Sequence, residues 1–170
     1  MRAGPGASLA AAQGDPAVAV MLIRCAGRTF VAGADISELG RPPLAPFLHD
    51  VVNAIECSPK PVVAALHGTA LGGGLEIALG CHYRVAVPGT RMGLPGSSSG
   101  LIPGAGGTQR LPRLVGPDKA FAVLVIGTNA QCPQKISAKR RTPTSFGCAD
   151  MGCDISLMQP KRSPATLARG

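Results

Sequence analysis

A chain of 170 residues, 45% of them hydrophobic, has room for one domain with a real core. With no Trp, one Tyr and four Phe, that core rests on Val, Leu, Ile and Ala, which suits buried strands flanked by helices and so an α/β class. No apolar run approaches the roughly 20 residues of a membrane helix, which excludes a helical span and leaves a soluble protein with no membrane partner as the expectation. The formal charge of +8 sits mostly in residues 128–170, where seven Lys/Arg face two Asp, against ten Lys/Arg and seven Asp/Glu before them. Without interleaved aromatics or a recognition motif, that excess reads as solvated charge and not as a specific nucleic-acid interface.

In chain order, Met1 to Asp15 is Ala/Gly-rich and reads as a helix and loop, since it lacks the compact apolar stretch and cleavage site of a secretion signal. Ala17 to Ile23 reads as a buried strand, ended by the polar turn Arg24 to Arg28. Phe30-Val31-Ala32-Gly33-Ala34-Asp35-Ile36 is a first glycine-bearing turn, with Asp35 placed to cap a short helix from Ile36 to Leu39. Phe47, Leu48, Val51, Val52 and Ile55 recur at helical intervals, so Pro46 to Cys57 is predicted to be an amphipathic helix that Pro59 and Pro61 stop. Val62 to Leu66 is a continuous apolar run, a second buried strand. Gly68 to Gly74 turns the chain into a helix from Leu75 to Leu79, and Tyr83 to Val87 supplies a third strand. Gly89 to Gly107 is loop-rich, and Thr108 to Val115 is predicted to be helical.

Beyond Gly127 the patterning fails. Pro133, Pro143, Pro160 and Pro164 interrupt it while Gln, Ser, Thr and Lys accumulate, so the domain is expected to span residues 1–127 and to be followed by a basic, poorly ordered tail over 128–170. The six cysteines contain no Cys-x-x-Cys pair, and a chain of this size needs no disulfide staples, which fits a reduced compartment such as the cytoplasm. Cys132, Cys148 and Cys153 find no fourth ligand at zinc-site spacing, so no metal is expected.

The chemistry points to the two glycine-bearing turns, Phe30 to Ile36 and Ala70-Leu71-Gly72-Gly73-Gly74-Leu75-Glu76-Ile77-Ala78. Backbone N–H groups exposed where such turns open into helices can together hold one carbonyl oxygen as it becomes negative. Glu76 lies three residues past Gly73 and so shares its helix face, which puts an acid beside the same oxygen; the bland alternative is a partly exposed surface charge. Gly104-Ala105-Gly106-Gly107-Thr108-Gln109 is no dinucleotide fingerprint, because Gln109 takes the third glycine position and no strand clearly precedes it. His49, His67 and His82 are isolated and read as packed or surface histidines.

At these residues the chain resembles the crotonase superfamily of enoyl-CoA hydratases and isomerases. Ala26 to Ile36, Pro59 to Gly68, the Gly72-Gly73-Gly74 turn and Ile102 to Leu111 are similar to that family's signatures, in its order. Leu111 to Gly116, with Gly80 to Ala86, looks most like the hydratase half of bacterial fused enzymes that also carry a 3-hydroxyacyl-CoA dehydrogenase. The resemblance spans about Met1 to Gly127 and implies a ββα spiral fold, here incomplete at both ends, and a coenzyme A thioester as substrate with no further cofactor. It implies that the amides of Ala34 and Gly73 are the oxyanion donors, with Ala32, Asp35, Ile36, Ser37 and Gly72 around the substrate. Family hydratases share proton traffic between two glutamates. The first corresponds to Glu76, whereas Gly96 stands at the second, in Leu94-Pro95-Gly96-Ser97-Ser98-Ser99. Serine hydroxyls titrate too high to serve there as an unassisted base. The implied role is weakened or lost enoyl-CoA hydration in fatty acid β-oxidation, with isomerisation less credible. The alternatives are a silent acyl-CoA-binding or assembly module and a truncated product that folds poorly. Family members form trimers, through a region that corresponds to the altered tail.

Overall fold

A computed structural model describes residues 4–33, 45–127, 129–131 and 154–158. It is a mixed α/β structure in which the predicted elements that fall within the described residues come in the predicted order, with further short elements between and after them. After α1 (Gly4–Gly14) the chain enters β1 (Val20–Arg24), then α2 (Leu48–Glu56), β2 (Val62–Leu66), β3 (Thr69–Leu71), α3 (Gly73–Gly80) and β4 (Tyr83–Ala86). β5 (Arg91–Gly93), a 3-10 helix over Pro95–Ser99, α4 (Gly107–Val115), α5 (Pro117–Leu124), β6 (Ala130–Gln131) and β7 (Asp154–Met158) follow.

One sheet has the order β4-β2-β1-β7. Its first three strands run parallel, with Met21 opposite Val62 and Val63 opposite Tyr83. Parallel neighbours require crossovers, and α2 and α3 lie in those connections, each laid against the other: a side chain added at Gly80 would meet Val52 Cγ1 at 2.4 Å. The second sheet, β3-β5-β6, is built from very short strands. Met21, Ile23, Val62, Ala64 and Leu66 on the strands, with Val51, Val52 and Ile55 on α2, form the aliphatic core that the composition demanded.

Local chemistry explains the element ends. The Asp50 carboxylate accepts a hydrogen bond from the Phe47 N–H at 3.2 Å, an acidic cap on the first turn of α2. Lys60 Nζ donates to the carbonyls of Ala12 and Asp15 at 2.9 and 2.5 Å, so one cation closes the C-terminal end of α1.

His82 has a similar structural role, as expected of an isolated histidine. Its Nδ1 accepts from the Val62 N–H at 3.2 Å, which fixes the start of β2 and requires a neutral ring with its proton on Nε2. Burial, and then the neighbouring Arg84 charge, lower its proton affinity below the ordinary histidine value. The unfolded chain therefore binds this proton more readily, and the contribution present in full above about pH 6.5 is lost as pH falls from there through the lower folded value. In His82→Asn, whose Oδ1 can replace Nδ1, the melting temperature should fall less between pH 7 and pH 5 than in the parent. Equal falls in thermal melts of the two proteins would assign the pH dependence elsewhere.

Several boundaries differ from the sequence reading. β1 starts at Val20, not Ala17, where its pairing begins opposite Met158. The Gly68 to Gly74 turn contains β3, and the stretch read as loop from Gly89 to Gly107 contains β5 and the 3-10 helix. α3 starts two residues early, and α5 was not anticipated. Past Gly127, β6 pairs with β5 and β7 pairs antiparallel with β1. The remainder of the tail, and the helix expected after Asp35, lie outside the described residues.

Candidate active site

The two glycine-bearing turns come together edge to edge. Val31 forms a parallel bridge with Ala70, its N–H donating to the Thr69 carbonyl at 3.1 Å and its carbonyl accepting from Leu71 N–H at 2.9 Å. Thr29 locks the same junction from the side: its hydroxyl donates to the Thr69 carbonyl at 2.6 Å and accepts from the Thr69 N–H at 3.0 Å. Beyond this clamp the bends face one another, and a Cβ built on Gly72 would lie 3.8 Å from Gly33 Cα. Gly72 and Gly33 both have positive φ, at 52° and 133°, conformations that side chains resist.

Gly73 is the first residue of α3, directly after the Gly72 cap. The first N–H groups of a helix have no intrahelical acceptor, and the dipole makes that end favourable to negative charge. The residue predicted as a donor, Gly73, is thus at that helix start, with Gly72 beside it and exposed Ala32 on the opposite bend. Ala34, Asp35, Ile36 and Ser37 lie outside the described residues.

Glu76 is interior. All eight residues of α3 are buried, and Glu76 is 3% exposed, which removes the reading of it as a surface charge. Its Oε1 accepts backbone hydrogen bonds from Ala105 at 2.8 Å and Gly107 at 2.9 Å, at the turn that opens α4. With Oε1 occupied twice, an acid proton is carried on Oε2. Burial raises the proton affinity above that of a free glutamate, opposed in turn by the Gly107 and Ala105 hydrogen bonds and the positive charge of Arg110. Such a group keeps its proton closer to neutral pH, as an acid–base catalyst must.

Gly96 lies half-buried in the 3-10 helix, three residues past Gly93, whose carbonyl accepts from the Gly72 N–H at 3.0 Å. Three residues reach at most about 10 Å, which limits how far this position can lie from the Gly72 bend. Leu94, fully buried, packs against the turn that opens α4: its Cδ1 would lie 3.0 Å from a Cβ placed on Gly107.

Sequence reasoning missed the Thr29–Thr69 clamp and the supports of Glu76. Arg110 is 3% exposed and pairs with Glu56, Nε and Nη2 reaching Oε2 at 3.1 and 2.5 Å, while Nη1 donates to the Ala105 carbonyl at 2.7 Å. Partners 54 and 5 residues away leave no local pattern by which to find them. On the Leu75 and Leu79 side of α3 an apolar cavity of about 270 Å³ continues to Leu111 and Val123, with Arg84 and Lys119 also lining it.

Residues 4–135 match the family model described as enoyl-CoA hydratase/isomerase. A peroxisomal bifunctional enzyme from Danio rerio is 45% identical over 122 residues, covering 72% of this chain and 17% of its own length. A probable enoyl-CoA hydratase from Bacillus subtilis is 45% identical over 120 residues, covering 66% of this chain and 46% of its own. Among solved structures, an enoyl-CoA hydratase from Bacillus anthracis superimposes with a TM-score of 0.68 at 33% identity, over 75% of this chain and 52% of that one. The chain thus spans about half the length of the single-function relatives and about a sixth of the fused one.

Proposed function

Since the chain belongs to the enoyl-CoA hydratase/isomerase family, we propose that it binds 2-enoyl-CoA thioesters across its facing glycine bends and hydrates them weakly. The thioester oxygen lies between the amides of Gly73 and Ala34, the residue after Gly33, with Ala32, Asp35, Ile36, Ser37 and Gly72 bordering the substrate. Attack of water at C3 drives an electron pair toward that oxygen, and the two N–H groups stabilise the charge most in the transition state, where loss of one donor costs about 2.7–4 kcal/mol. Glu76 moves the proton: its carboxylate takes one from the water whose oxygen adds to C3 and then hands it to C2, and the sum is addition of H2O across the double bond. Coenzyme A enters as part of the substrate, and the reaction uses no other cofactor. The place in metabolism that this implies is fatty acid oxidation, and relatives include a fatty acid oxidation complex subunit alpha from Shewanella halifaxensis.

The observation that carries this reading is the conjunction of Gly33 and Gly72 in contact with a buried carboxylic acid one turn along the helix that Gly73 begins. Gly96 favours a second reading, a thioester-binding module without turnover, because the position supplies no carboxylate. Two assays separate them. Crotonyl-CoA should raise the melting temperature under both readings, by an amount equivalent to about 2.7 kcal/mol at one hundred times Kd. Only under the first does the enoyl absorbance decay, and there Glu76→Gln should slow the decay by on the order of 10²-fold while the thermal shift persists. Absence of both the shift and the decay would remove the thioester site altogether.

A further inference from the structure

Glu76 is held by a turn that ought to be soft. Gly104, Gly106 and Gly107 surround Ala105, and Gly106 has φ 85°, so three of four residues have little intrinsic preference for one conformation. Yet the N–H groups of Ala105 and Gly107 both converge on Glu76 Oε1. The peptide between Ala105 and Gly106 lies between those two donors, and its carbonyl accepts from Arg110 Nη1. Arg110 is fixed in turn by its paired contact with Glu56 at the end of α2 and by its own N–H, which donates to the Gly106 carbonyl at 2.9 Å. The guanidinium thus holds the middle of the turn whose two ends hold Glu76.

We propose that Arg110 is a positioning residue, which through the Ala105–Gly106 peptide fixes the direction in which Glu76 presents its carboxyl group. The inference rests on the reading of Glu76 as the acid–base group but is tested without turnover. A buried ion pair by itself is weak evidence of stabilisation, and here its geometry serves a polar turn at the candidate site. The charged and titratable groups facing this network are few among the described residues: Glu56 and Cys57 from the end of α2, and Arg113 from α4 itself. Removing the cation and loosening the turn should act in the same direction, each taking support from the Glu76 carboxylate.

The sequence contains only three glutamates, Glu38, Glu56 and Glu76, so their labelled carboxyl carbons can be followed individually by NMR. In Arg110→Gln the Glu76 titration midpoint should move upward, and amide exchange at Ala105 and Gly107 should accelerate relative to core amides such as Met21. Should the Gln variant fail to fold, Arg110→Lys keeps a charge opposite Glu56 but lacks the planar fork, and the same two changes are expected in it. A lowered melting temperature with the Glu76 midpoint unmoved and exchange raised uniformly would overturn the proposal and leave Arg110 a purely structural ion-pair member. Because neither readout uses catalysis, an inactive parent protein would sink the proposed reaction and not this inference.

Discussion

Gly96→Glu should raise kcat/KM for crotonyl-CoA hydration by on the order of 10²-fold, with 10⁴-fold as the ceiling set by a well-positioned acid–base group. The site permits the change. A Cβ at this position would meet the Leu101 carbonyl at 3.0 Å and Leu101 Cβ at 3.4 Å, so the neighbouring segment must give by a few tenths of an ångström and no more. Leu101 is 45% exposed and the 3-10 helix carries no fully buried residue, which leaves room for that movement. The gain should vanish when Glu76→Gln is added, because the two carboxylates would act on the same water and proton. Steady-state rates of the parent, both single variants and the double variant decide the matter. An inert Gly96→Glu protein that still binds crotonyl-CoA would show that a missing carboxylate at this position is not what limits turnover.

Gly74→Ala should disturb the framework at the site itself. Its added methyl would lie 2.4 Å from Val31 Cβ, 2.8 Å from Val31 Cγ1 and 2.7 Å from the Val31 carbonyl. Val31 Cγ1 can turn away from such a contact, but its Cβ is fixed to the backbone and the carbonyl is anchored by the Leu71 N–H, so neither can retreat without breaking the bridge between the turns. Overpacking of this kind costs about 1–3 kcal/mol, and the bends should separate as well. We therefore expect a melting temperature lower by several degrees and the loss of thermal stabilisation by crotonyl-CoA. Gly14→Ala provides the comparison: nothing lies within 4 Å of its Cβ, and binding should be unaffected. Retention of full ligand stabilisation in Gly74→Ala would mean that close approach of the two turns is dispensable.

How much of this was legible in the residues depends on the range of the interaction. Val62 to Leu66 is a continuous apolar run between proline and histidine, and it is β2 to the residue, because a strand buried within a parallel sheet needs nothing but its own composition. α2 was equally readable from its buried stripe of Val51, Val52 and Ile55. β3 and β5 escaped notice because three residues cannot display an alternation, and they exist through pairing with partners distant in sequence. α5 had local signals, Pro117 at its first position and Asp118 in its first turn, with Ala120 and Val123 buried three residues apart. At the site, spacing alone sufficed to put Gly73 and Glu76 on one helix. The partners that bury and aim Glu76 come from 29 and 31 residues away and could not be found that way.

The most direct test of the thioester site is the carbonyl stretch of bound crotonyl-CoA labelled with ¹³C at C1, read by Raman or infrared difference spectroscopy. Two convergent N–H donors polarise the C=O bond, so the stretch should shift to lower frequency on binding to the parent protein and return toward the aqueous value in Gly74→Ala if any ligand remains. A bound thioester whose carbonyl frequency matches that in water would contradict the account.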